Sequence, residues 1–177
     1  MRLLLFVSLL LSPLIVRAET PEWYHLNCHL LKVAFTGGES VYATGTNGVL
    51  LRSMNKGISW KQIPTLLSDS LIGIAFADPL HGTCVGQGGI ILSTIDGGLS
   101  WYLQKSSTKF TLRSVAFREN IGVIVGDGGT ILRSEDGGKT WLIVKVSAKQ
   151  NFFVVVFAPD GAVLVGASGG ILHRSTD

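Results

Sequence analysis

The chain opens with a continuous apolar stretch and then changes pattern completely. Leu3 to Leu11 is apolar except for Ser8, follows Arg2 and is broken by Pro13. Beyond residue 18 no segment sustains a helical period. Instead, apolar runs of four to seven residues alternate with clusters of Gly, Asn, Asp and Ser, the pattern of short strands joined by tight turns. Around Trp141 the runs are Leu112–Phe117, Ile121–Gly126, Thr130–Ser134 and Thr140–Val146. Four antiparallel strands recur in this way about every 40 residues.

The repeat has a fixed frame. Ser53-Met54-Asn55-Lys56-Gly57-Ile58-Ser59-Trp60 returns as Thr94-Ile95-Asp96-Gly97-Gly98-Leu99-Ser100-Trp101 and as Ser134-Glu135-Asp136-Gly137-Gly138-Lys139-Thr140-Trp141. A fourth copy starts at Ser175-Thr176-Asp177. The tryptophans lie 41 and 40 residues apart, and Phe76, Phe117 and Phe157 each close an apolar run 16 residues after a tryptophan, at 60, 101 and 141. The acidic or amide side chain at Asn55, Asp96 and Asp136 is placed to accept hydrogen bonds from its own turn. The glycines at Gly57, Gly98 and Gly138 supply positive φ, and the tryptophan wedges between neighbouring repeats. These boxes are Asp-box (BNR-type) repeats. With Val125–Trp141 (VGDGGTILRSEDGGKTW) and Ala75–Gly89 (AFADPLHGTCVGQGG), the chain resembles the photosystem II assembly and stability factor family over residues 22–177. The resemblance implies an all-β fold, a β-propeller of about four four-stranded antiparallel blades.

The expected organisation is a signal peptide at 1–18, with Val16-Arg17-Ala18 at the cleavage site, followed by propeller repeats at 19–177. The apolar segment, about 14 residues even on a generous count, is shorter than the ~20 needed for a membrane-spanning helix. Blades are expected at about 30–64, 71–105, 112–146 and 152–177. The last has three strands, and residues 22–26, with Trp23 in the slot of the box tryptophans, would close it. The four blades form either a small closed ring or part of a larger one. In the second case the chain pairs with a second copy or is a piece of a longer propeller.

Composition sharpens this. Of 177 residues 46% are hydrophobic and 22 are glycine, all beyond residue 18, which excludes a disordered tail and accounts for the turns. The formal charge of +3 falls to +1 once Arg2 and Arg17 leave, so there is no nucleic-acid footprint. Two cysteines build no disulfide framework. A Cys28–Cys84 bridge is conceivable after export, although Cys84 reads as a buried apolar position. His25, Cys28 and His29 are the densest set of metal ligands, but on a strand residues four apart sit roughly 13 Å from each other. No metal or other cofactor is expected.

Asp boxes also occur in sialidases and some glucanases. A glycosidase would need two opposed carboxylates. Outside the boxes the candidates are Glu39, Asp69, Asp78, Glu119, Asp127 and Asp160, each in a turn where acids cap backbone; no catalytic residue is assigned. Arg52, Arg133 and Arg174 share one slot before the box serine. They form either a basic stripe for acidic groups on a partner or solvated arginines that discourage edge pairing. The expected function is a non-enzymatic interaction scaffold, exported to periplasm, thylakoid lumen or the extracellular space. The resemblance implies a photosystem II subunit as partner in a photosynthetic host, and otherwise an unidentified envelope protein. The alternatives are a glycan-binding or glycosidase propeller and a truncated fragment.

Overall fold

A computed structural model describes residues 27–176 of the chain. The first blade comprises β1 (Leu30–Phe35), β2 (Val41–Gly45), β3 (Leu50–Ser53) and β4 (Lys61–Ile63). The second comprises β5 (Leu71–Phe76), β6 (Gly82–Gly86), β7 (Ile91–Thr94) and β8 (Tyr102–Gln104). The third is β9 (Leu112–Arg118), β10 (Ile121–Gly126), β11 (Ile131–Ser134) and β12 (Leu142–Ile143), and the fourth is β13 (Phe152–Phe157), β14 (Val163–Ala167) and β15 (Ile171–Ser175). Each blade is an antiparallel meander in chain order, and among the described residues the fourth has three strands.

The first strands line the inside of the arc, β1 against β5, β5 against β9 and β9 against β13, with no such packing between β13 and β1. The core lies between blades. Leu71, Ile74, Cys84 and Leu92 of the second blade meet Tyr42 and Leu50 of the first. Leu112, Val115, Ile124 and Leu132 of the third meet Val85 and Ile91 of the second. Phe152, Val155 and Val165 of the fourth meet Val123 and Val125 of the third. Burying each such side chain stabilises by about 1.5–3 kcal/mol, so the alternation of inward positions in every strand fixes the stacking order.

The fourth strand of the third blade is shorter than the apolar run Thr140–Val146 suggests. An outermost strand has a neighbour on one side only. Here Val144 still donates its N–H to the Ile131 carbonyl at 2.9 Å, and the chain then turns toward the next blade. The third strand likewise begins at Ile131, because Thr130 closes the preceding turn with its N–H and hydroxyl on the Asp127 carbonyl. The conceivable Cys28–Cys84 bridge is not formed. Both thiols are free; Cys28 covers the outer flank of the first blade and Cys84 lies in the seam between the first two. Complete burial raises the Cys84 thiol pKa well above the ordinary range.

The expected signal peptide, the closing strand at 22–26, His25 and Asp177 lie outside the described residues. Within the described residues no helix is long and apolar enough to cross a membrane.

Candidate partner-binding surface

The Asp boxes form the turns between third and fourth strands, and their hydrogen bonds close inward. In the third blade the Ser134 hydroxyl donates to Asp136 Oδ1 (2.8 Å) and accepts the Gly138 N–H (2.8 Å). Asp136 then accepts the Thr140 N–H (2.9 Å) and hydroxyl (2.6 Å). Thr94, Asp96, Gly98 and Ser100 repeat this in the second blade. Ser53, Asn55, Gly57 and Ser59 do so in the first, where the Asn55 amide donates to the Ser59 hydroxyl. Hydrogen bonds from the Ser100 side chain and backbone hold Asp96 far below the usual carboxylate range. For Asp136 the upward effect of burial is outweighed by bonds from Thr140, Ser134 and Lys139, which bring its pKa down to about 2.

These turns also clamp adjacent blades, a role the box pattern did not reveal. Gly98 has φ +82°, and an added Cβ there would overlap the Tyr42 ring and hydroxyl of the preceding blade. The Tyr42 hydroxyl donates to the Gly97 carbonyl. Gly138 has φ +87°, and its Cβ would lie 2.8 Å from Thr83 Oγ1 of the preceding blade. Gln104 Nε2 reaches from the second blade to the carbonyls of Gly138 (3.1 Å) and Lys139 (3.0 Å). Trp101 stands edge-on to Tyr42 and Phe76, and Trp141 packs on Phe117 at 5.8 Å. Trp60 Nε1 donates to the Gly57 carbonyl. The box residues are therefore committed to structure.

The three arginines of the shared slot part company. The Arg52 guanidinium lies 5.8 Å above the Tyr42 ring, with its Nε buried in the first-to-second seam. Burial raises the Tyr42 pKa, and Arg52 opposes that shift. Arg133 and Arg174 are brought together on the rim of one groove of about 410 Å³ between the third and fourth blades. Its floor is apolar, with Val123, Ile131 and Phe152 among the lining side chains, and His173 stands beside Arg174. Arg133 Nε contacts Glu135 at 3.3 Å and Arg174 Nη2 contacts Asp160 at 2.6 Å. The Arg174 side chain and the Ala162 N–H lower the Asp160 pKa. Exposed pairs of this kind contribute only about 0–1 kcal/mol, so an incoming carboxylate can replace Glu135 or Asp160 at small cost.

Four of the six turn acids, Glu39, Asp78, Asp127 and Asp160, serve the backbone or a nearby cation. Glu39 pairs with Lys56. Asp78 accepts the N–H groups of Leu80 and His81 and faces the His81 ring; these bonds outweigh burial and lower its pKa. Asp127 does more than form its turn: its carboxylate takes both Nε and Nη2 of Arg113, whose guanidinium lies 5.1 Å over the Phe153 ring of the next blade. The visible signal was Arg113 itself, a cation where the second blade has Ile72. Among the described residues no group of three or more His, Cys, Asp or Glu is placed to hold a metal; the His29 backbone N–H binds Thr46 Oγ1.

Residues 53–177 match the sequence profile of the family described as Photosynthesis system II assembly factor YCF48. No curated protein matches the chain in sequence. Among solved structures it is similar to a YCF48 bound to D1 peptide, with TM-score 0.69, 22% identity and coverage of 84% of this chain and 50% of that one. It is also similar to YCF48 from Cyanidioschyzon merolae, with TM-score 0.66, 18% identity and coverage of 84% and 53%. A GH74 enzyme from Niastella koreensis shares the fold at TM-score 0.67 and 17% identity, covering 80% of this chain and 26% of that one. The chain thus spans about half the length of the YCF48 structures it matches.

Proposed function

Because the chain belongs to the Photosynthesis system II assembly factor YCF48 family, we propose that it is a non-enzymatic propeller scaffold that docks an extended segment of a photosystem II subunit. The observation that carries this reading is the YCF48 relative whose structure holds a D1 peptide. The groove between the third and fourth blades offers matching chemistry. Its apolar floor accepts a hydrophobic side chain, and Arg133 and Arg174 on the rim present guanidinium groups to a carboxylate. In a host without photosystem II the same chemistry serves an envelope protein. The chain would reach that compartment through its N-terminal segment, and cleavage after Ala18 predicts that mass spectrometry of the exported protein finds it beginning at Glu19.

A scaffold rather than a hydrolase also fits the carboxylates. A glycosidase acid works with its pKa raised toward neutrality, whereas among the acids outside the boxes Asp78 and Asp160 are shifted downward. The test is a fluorescence-anisotropy titration with labelled peptides tiling D1. At least one peptide should bind, and Arg133→Glu with Arg174→Glu should weaken it 10-fold or more, about 1.4 kcal/mol. Binding unchanged by both substitutions would place the site elsewhere, and no binding by any tile would sink the D1 reading.

A further inference from the structure

The two edges of the arc differ in what they expose. The Asp boxes and the hairpins between first and second strands lie along one edge. Along the other run the links between blades, residues 64–70, 105–111 and 144–151, laced to the turns between second and third strands. There the Gln87 N–H donates to the Ser70 carbonyl (3.0 Å), Asp127 to Thr111 (2.9 Å) and Gly129 to Gln150 (2.8 Å). On the box edge Lys56 faces Glu39, Arg133 faces Glu135 and Arg174 faces Asp160. On the link edge Lys105, Lys109, Lys145 and Lys149 are exposed, and no carboxylate among the described residues pairs with them. Asp127 on that edge is taken by Arg113, which leaves the exposed Asp69.

Apolar side chains stand among these lysines. Leu66 is 99% exposed and sits at φ +57°, a left-handed conformation uncommon for a bulky residue. Its neighbours hold it there: the Thr65 hydroxyl donates to the Gly48 carbonyl (2.7 Å), and Leu67 packs into the first-to-second seam. The fold thus anchors both flanking residues and points the leucine outward. In the second link Phe110 rests on Gly128 and is 56% exposed, and in the third Val146 is 42% exposed. Phe110, Val146, Lys109 and Lys145 line one open groove of about 700 Å³.

We infer that the link edge rests on an anionic lipid bilayer, with Leu66, Phe110 and Val146 among the headgroups and the four lysines against the lipid phosphates. Interfacial binding grows with the apolar area buried at the headgroup boundary and with the attraction of basic side chains to anionic lipid, and this edge supplies both. A peptide fits it less well. A side chain as bare as Leu66 gives a peptide no pocket wall, whereas a fluid headgroup layer closes around it. In this orientation the Asp boxes face away from the bilayer. The inference stands whether or not the groove at Arg133 and Arg174 binds a peptide.

Cosedimentation with sucrose-loaded vesicles tests this. The exported chain should bind vesicles of phosphatidylcholine containing about one-third phosphatidylglycerol, and bind pure phosphatidylcholine at least 10-fold more weakly. Added salt should release it from the anionic vesicles. Replacing Lys105, Lys109, Lys145 and Lys149 together by Gln should weaken that binding at least 10-fold. Leu66→Asn with Phe110→Gln should weaken it at least 3-fold. Asn accepts positive φ, and Gln150 already takes the place of Phe110 in the third link, so far-UV dichroism should not change. Lys56→Gln with Lys139→Gln, on the box edge, should bind as the parent does. Vesicle binding that survives both sets of link-edge substitutions, or that falls as far with the box-edge pair, would overturn the inference. So would a chain that ignores anionic vesicles; if the four lysine substitutions then abolished binding of an acidic peptide, the edge would belong to a protein instead.

Discussion

Ser134 Oγ both donates to Asp136 and accepts from Gly138, so one hydroxyl organises a turn whose aspartate then holds Thr140. The proton balance of Asp136 follows from those bonds. Its folded-state pKa of about 2 lies below the ~3.9 of an unfolded aspartate. The stability it contributes is therefore fully present above about pH 4 and is lost as pH falls toward 2, the unfolded chain binding the extra proton. Asp96 acts in the same direction and lower still. Asn55 shows that an amide can fill the same place, accepting the Ser59 N–H and donating to the Ser59 hydroxyl. Asp96→Asn with Asp136→Asn should therefore fold normally and flatten the fall in melting temperature between pH 4 and pH 2. Melting curves recorded across that range would refute the assignment if the double variant lost stability as steeply as the parent. The position of the carboxylate was legible in the sequence because the turn repeats. The short contact of Tyr42 with the next box was not, since its partner lies 55 residues away and no other blade has a tyrosine there.

Between elements, stability resides in the seams. Gly122 is the second residue of β10, opposite Phe117, and a Cβ there would lie 2.5 Å from Phe117 Cε1 and 2.7 Å from Trp141 Cη2. The repeated phenylalanine, the repeated tryptophan and this glycine are thus parts of one contact. Gly122→Ala should destabilise by about 1–3 kcal/mol through overpacking, and Trp141→Ala by about 3–5 kcal/mol through the cavity it leaves. Since both act on the same pocket, the double variant should lose less than the sum. Urea titrations of the two single variants and the double would show this, and strict additivity would contradict the shared pocket. Strand number, order and the inner runs were readable because residues that alternate along a strand must face the neighbouring blade. The length of β12 was not, because its apolar residues continue past the point where a hydrogen-bonding neighbour ends. The arginine slot misled for a related reason. Equal register puts Arg52, Arg133 and Arg174 at one height, but a tyrosine captures the first, and only the other two reach a common groove.

At the scale of the whole molecule, a stack of blades that touch only their neighbours has a stability that varies along the chain. Among the described residues the second and third blades each pack against two neighbouring blades, whereas the first and fourth each pack against one. Among the described residues β15 is the outermost strand of its sheet, with β14 on one side only. Local opening should therefore cost least there and most in β6 and β10. Amide hydrogen exchange at low protein concentration should show protection rising from β15 through β14 to β10. Slowest exchange is expected at Cys84 and Ile124, which are fully buried in the middle of their strands. Protection that is uniform along the chain at low concentration would mean that the four blades unfold as one unit, and that the free ends contribute nothing to where opening begins.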